Sequence, residues 1–205
     1  IDDLSAGYHS IGLRAKDNDG AWSENTTTFY LDIEGETEFP WNYSIGGRVR
    51  SVAVSATGEY IVAGSWNNSG SDDAVFLFEK NSSTPLWNYE GGLYIRAVAI
   101  SADGEHIVAS SNDGDVYLFD RDSSTPLLNY NVDGEVLSIA ISADGEYIVV
   151  GCQDDKVYLF DKNSTTPIWT YSTGGQVWSV AVSADGEYIV AGSYNDKVYL
   201  FGKDS

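Results

Sequence analysis

The chain has 205 residues, 13% of them aromatic and 42% hydrophobic, which is enough apolar material for a substantial packed core and too much for a disordered chain. Thirty-one acidic residues against eleven basic ones leave a net charge of −20, which repels nucleic acid and anionic membrane and excludes both as partners. A single cysteine, Cys152, excludes an internal disulfide or a CxxC pair, and every apolar run is too short to span a membrane.

The first strand signal lies at residues 4–33, LSAGYHSIGLRAKDNDGAWSENTTTFYLDI, where His9, Ile11 and Leu13 alternate with polar neighbours, as do Phe29, Leu31 and Ile33. The order of G-x-H-x-I-x-L-x-x-x-D strand, D-x-x-G turn and final strand resembles the end of a PKD-type, immunoglobulin-like domain. Residues 1–35 are therefore expected to be the C-terminal part of such a domain, and residues 36–205 a separate unit. In the turn, Asp17, Asn18 and Asp19 precede Gly20 and supply only the start of an EF-type calcium loop, so a hairpin corner explains them better. No cofactor is expected.

FPWNY at 39–43 reads as the last strand of a unit whose earlier strands do not precede it. A fourfold repeat follows, with SATGEYIVAGS from Ser55, SADGEHIVASS from Ser101, SADGEYIVVGC from Ser142 and SADGEYIVAGS from Ser183. Aligned on Val52, Val98, Ile139 and Val180, the copies are 46, 41 and 41 residues apart, the period of four-stranded propeller blades. Each unit presents four strand signals in order, as in RSVAVSA, EYIVAGS, AVFLFEK and LWNY, designated a to d. Glycine in A-D-G-E or A-T-G-E supplies the tight a–b hairpin. The third strand is apolar throughout, as at Val116, Tyr117, Leu118 and Phe119, so both of its faces are covered by neighbouring sheets. Small residues, among them Ala53, Ala99, Ala140, Ala181, Gly64, Gly151 and Gly192, allow those sheets to approach closely. No segment carries a sustained helical period.

The fold class is therefore all-β, a β-propeller of four-stranded antiparallel blades preceded by a β-hairpin from an Ig-like sandwich. The blade units fall at about 39–90, 91–130, 131–171 and 172–205. The last unit has strands a, b and c without d. Either FPWNY zips onto it and closes a four-bladed ring, or the end blades meet the remaining blades of a larger propeller or another copy of the chain; the second arrangement is the expectation.

The segments LFEKNSSTPLWNY, LFDRDSSTPLLNY and LFDKNSTTPIWTY resemble WD-repeat-like and pyrroloquinoline-quinone-type propellers, with Trp41, Trp87 and Trp169 at the strand-d tryptophan and Leu128 breaking the pattern. Quinone-dependent enzymes of that kind carry an adjacent cysteine pair, which one cysteine cannot supply. Cys152 shares a column with Ser65, Ser111 and Ser193 and reads as a buried small residue. Of the two histidines, His9 belongs to a strand pattern and His106 to the column of Tyr60, Tyr147 and Tyr188, so neither marks a nucleophile–base pair. The expectation is a protein without enzymatic activity.

What differs among the repeats is more informative than what recurs. Arg50, Arg96, Leu137 and Trp178 share one variable column at the d–a loop, and Trp66, Asn112, Gln153 and Tyr194 share another at the b–c loop. Both loops emerge at one end of a propeller, so these residues mark an expected interaction face for a protein or glycan. Sequons at Asn25, Asn42, Asn67, Asn81 and Asn163 favour an external location. The resemblance implies a secreted or cell-surface protein of a prokaryote, with an archaeon as the expected source. The alternatives are a fragment of a quinoprotein-like enzyme whose catalytic residues lie outside this chain, and a structural surface-layer spacer.

Overall fold

The computed structural model describes residues 41–66, 74–90 and 94–205. The expected hairpin at 4–33 lies outside the described residues, and so do His9, Asp17, Asn18, Asp19, Asn25 and Asn67.

Each repeat folds as one antiparallel sheet whose strands follow chain order. Blade 1 comprises β1 (Arg48–Val54), β2 (Tyr60–Trp66), β3 (Ala74–Glu79) and β4 (Trp87–Glu90). Blade 2 comprises β5 (Ile95–Ile100), β6 (His106–Ser111), β7 (Asp115–Asp120) and β8 (Leu128–Asn131). Blade 3 comprises β9 (Val136–Ile141), β10 (Tyr147–Cys152), β11 (Lys156–Asp161) and β12 (Trp169–Ser172), and blade 4 has only β13 (Val177–Val182), β14 (Tyr188–Ser193) and β15 (Lys197–Gly202).

The a–b hairpins turn at Gly58, Gly104, Gly145 and Gly186, all at positive φ. An internal bracket fixes each corner. In blade 3 the Ser142 hydroxyl donates to Asp144 at 2.5 Å, and the amides of Glu146 and Tyr147 donate to Asp144 and Ser142 at 3.0 Å. In blade 1 Thr57 takes the aspartate's place, and its hydroxyl lies 3.2 Å from Ser55 Oγ while accepting from the Glu59 amide at 3.3 Å.

The blades stack face to face, with the first strands β1, β5, β9 and β13 side by side. A relay of backbone bonds ties their hairpins together: the amides of Ala56, Ala102 and Ala143 donate to the carbonyls of Ala102, Ala143 and Ala184, each at 3.0 Å. The apolar third strands lie within these interfaces as expected; Val116, Tyr117, Leu118 and Phe119 are all buried. Close approach needs the small residues. A Cβ on Gly151 would stand 2.8 Å from Val177 Cγ1, whereas one on Gly192 would meet nothing nearer than 4.0 Å.

That contrast marks an open end. Val198 and Leu200 of β15 are 78% and 67% exposed, while their column mates Val75, Val116, Val157, Leu77, Leu118 and Leu159 are buried. The described residues therefore form an open arc of blades and not a closed four-bladed ring. Residues 41–45 do not complete blade 4. Trp41 and Tyr43 pack instead on Phe78 of blade 1, at ring separations of 5.2 and 5.5 Å, and Trp41 Nε1 donates to the Lys80 carbonyl at 2.7 Å. They occupy the seat of a fourth strand without forming one, since among the described residues no third strand runs beside them to supply the ladder.

Candidate interaction face

Each first strand carries a register shift at one repeated position: between Val49 and Ser51, Ile95 and Ala97, Val136 and Ser138, and Val177 and Ser179. The residue inside each shift is Arg50, Arg96, Leu137 or Trp178, the first variable column. A β-bulge of this kind adds a residue to one strand and re-aims its side chain. The second column stands immediately beside it, since the amides of Asn112, Gln153 and Tyr194 donate to the carbonyls of Tyr94, Glu135 and Gln176 just ahead of the next strand pairings. Both columns thus lie at one end of the blades.

Trp178 and Tyr194, 53% and 76% exposed, flank the paired residues Val177 and Ser193. Arg50, Asn112 and Gln153 are also exposed. Two of the expected contact residues are held more tightly than the sequence implies. Trp66 is half-buried, stacked on Tyr94 at 4.8 Å, with the guanidinium groups of Arg48 and Arg50 lying 4.9 and 5.1 Å from its ring. Arg96 pairs with Glu135 at 3.1 Å and so bridges blades 2 and 3. Arg48 and Tyr94 are members of this cluster that column comparison misses, because neither falls in the variable columns themselves.

The loops behind the face are braced. Lys156 Nζ contacts Asp154 at 2.8 Å and Tyr158 donates to the same carboxylate. Burial alone would raise the Asp154 pKa, but bonds from Lys156, Tyr158 and Cys152 outweigh it and hold the carboxyl below its ordinary value. In blade 4 the Tyr199 hydroxyl donates to the Thr173 carbonyl at 2.8 Å. Cys152 is fully buried, and burial pushes its thiol up to about 12, which suits a core residue and not a nucleophile.

The opposite end carries the c–d turns. Asn81 and Asn163 lie exposed in those turns, and Asn42 is exposed beside Trp41, whose indole reaches the c–d turn at Lys80. The described sequons and the variable columns therefore sit at opposite ends of the blades.

Antiparallel sheets stacked through their apolar third strands, with first strands alongside one another, define a β-propeller, a class that hosts many functions. The chain belongs to the family described as Cytochrome D1 heme domain, which residues 92–201 match, more than half of its length. Residues 42–76 are similar to the WD domain, G-beta repeat. No curated protein matches the chain.

The family's description implies a haem, whose iron takes an axial donor such as a histidine nitrogen, a cysteine sulfur or a tyrosine oxygen facing room for the macrocycle. Among the described residues the histidine is His106, and its Nδ1 is turned onto the next hairpin, 2.6 Å from where a Cβ on Gly145 would stand. The Cys152 thiol is enclosed by core. Among the described residues no three His, Cys, Asp or Glu side chains gather as a metal site. Neither His106 nor Cys152 is placed to ligate a haem iron.

Proposed function

We propose that this chain is a non-enzymatic binding module that works at the cell surface or outside the cell and engages a protein partner through the bulged end of its blades. The observation that carries the reading is the repeated bulge: one framework position, re-aimed in every blade, is filled by Arg50, Arg96, Leu137 or Trp178 while the surrounding strands stay nearly constant. Rigid framework with variable, aromatic and basic termini is the composition of a contact surface. The braced loops behind it support the reading, because little ordering entropy remains to be lost on binding. The exposed sequons at Asn42, Asn81 and Asn163 support an external location.

A glycan is the second reading, favoured by the neighbouring exposed rings of Trp178 and Tyr194. A purely structural spacer would bind nothing. The deciding experiment presents the immobilised chain to a panel of surface proteins and to a glycan panel, alongside an Arg50→Ala, Trp178→Ala, Tyr194→Ala variant. Specific binding lost in the variant supports the face, and the panel that responds identifies the partner class. Binding undiminished in the folded variant would place the contact elsewhere.

A further inference from the structure

The seats between successive blades are built to one pattern with one departure. Between blades 1 and 2, Trp87 packs on Phe119 with ring centres 5.4 Å apart, and its Nε1 donates to the Arg121 carbonyl at 2.6 Å. Beside it the Arg121 guanidinium lies 5.0 Å from the Tyr60 ring, which covers Gly104. Between blades 3 and 4 the arrangement repeats: Trp169 on Phe201 at 5.2 Å, Nε1 to the Lys203 carbonyl at 2.8 Å, and Lys203 Nζ 5.2 Å from Tyr147 over Gly186.

Between blades 2 and 3 the tryptophan column holds Leu128 and the tyrosine column holds His106. Both replacements remove ring volume, and both fall at the same junction. Lys162, the counterpart of Arg121 and Lys203, pairs with Glu146 at 2.7 Å. An open cleft of about 410 Å³ lies there, lined by His106, Leu118, Leu127, Leu128, Lys162 and Asn163. The polar duty of the lost indole is covered, because the Tyr130 hydroxyl donates to the Lys162 carbonyl at 3.2 Å. The Tyr130 ring, 4.7 Å from Phe160, also takes over the contact that tryptophan makes with phenylalanine at the other junctions, and the cleft lies beside it.

We propose that this cleft is a binding site for an uncharged aromatic small molecule of one or two fused rings, seated between Leu128 and His106 in the volume that the two smaller side chains leave. Its volume lies within the range of roughly 300–1,000 Å³ usual for small-molecule sites. Three leucines supply its apolar wall, against which a guest removes apolar surface from water. Arg121 and Lys203 cover the rings of Tyr60 and Tyr147, and at this junction that column holds the smaller His106, so a guest beside His106 with an electron-rich face gains from Lys162 a cation–π contact that an aliphatic one does not. A charged guest is disfavoured, because Lys162 and Glu146 already neutralise each other. The site lies at the c–d turn end and is independent of the interaction face.

The test titrates indole, with cyclohexanol as an aliphatic control, into the isotope-labelled chain and follows backbone amide resonances. The expected result is saturable shifts confined to His106, Leu127, Leu128, Lys162, Asn163 and their neighbours, with cyclohexanol at least about ten-fold weaker. Leu128→Trp and His106→Tyr, which restore the pattern of the other junctions, each weaken indole binding about ten-fold or more. Should Leu128→Trp fail to fold, His106→Tyr carries the test alone. Absence of shifts up to the solubility of indole, shifts scattered over the surface, equal binding of cyclohexanol, or unchanged affinity in the folded variants would each overturn the proposal.

Discussion

The hydroxyl of Tyr130 donates to the carbonyl oxygen of Lys162 at 3.2 Å, doing at the junction of blades 2 and 3 what an indole nitrogen does at the others. Tyr130 is fully buried, so removing its hydroxyl takes away the donor that this carbonyl has across the blade junction. Tyr130→Phe is expected to lower the unfolding free energy by about 1–3 kcal/mol, measured by urea denaturation. Tyr171→Phe, in the same column but 45% exposed, is expected to change it by less than about 0.5 kcal/mol. Equal effects at the two sites would show that the bond is not what holds the junction.

Gly58 and Gly186 occupy the same hairpin corner, at φ of 72° and 73°, yet differ in their surroundings. A Cβ on Gly58 meets nothing within 4 Å, whereas one on Gly186 would overlap the ring of Tyr147 from blade 3. Gly58→Ala is therefore expected to cost about 1 kcal/mol, the backbone penalty alone. Gly186→Ala adds displacement of the ring, and its total is expected at about 2–4 kcal/mol. Thermal unfolding of the two variants side by side gives the difference directly.

Val157 and Val198 share a column but not an environment, the first buried and the second exposed. Val157→Asp places an unpaired carboxylate in a closed sheet interface and is expected to prevent folding or cost more than about 4 kcal/mol. Val198→Asp is expected to leave monomer stability within about 0.5 kcal/mol. It also breaks an apolar patch that would otherwise promote association, so light scattering should show less self-association in the variant. A large loss of stability from Val198→Asp would mean that this face is covered in solution.

Asp144 and Asp185 are held below the ordinary carboxylate value, first by the hydroxyls of Ser142 and Ser183 and then by the amides of Glu146 and Glu187. A carboxyl whose folded pKa is depressed binds its proton more readily in the unfolded chain. The stability it contributes is present above the unfolded value, about 4, and is lost as pH falls through the folded one. Unfolding free energy is thus expected to decline below about pH 4, and Asp144→Asn with Asp185→Asn to flatten that decline. An unchanged acid slope in the double variant would assign the loss to other carboxylates.

Much of this architecture was legible in the residues. The repeat spacing and the continuous apolar third strands announce stacked four-stranded sheets, because only a sheet covered on both faces tolerates such a run. The variable columns at Arg50 and Trp66 were legible too, since internal repetition separates framework from variation. Their environments were not. That Arg50 sits in a bulge follows from a hydrogen-bond register set jointly by two strands, and that Trp66 is clasped by Arg48, Arg50 and Tyr94 follows from a packing no single column records.

The division has a physical cause. Sequence by itself determined what depends on local period and composition: the strands, the hairpin corners, the blade repeat, and Leu128 as the place where that repeat breaks. Tertiary structure alone decided what depends on the meeting of distant residues: the open arc with its exposed Val198 and Leu200, the turning of His106 onto Gly145, and the coincidence of Leu128 and His106 at one junction. Those two substitutions are 22 positions apart in the chain, and only the stacking of blade 2 on blade 3 brings them to the lining of one open cleft.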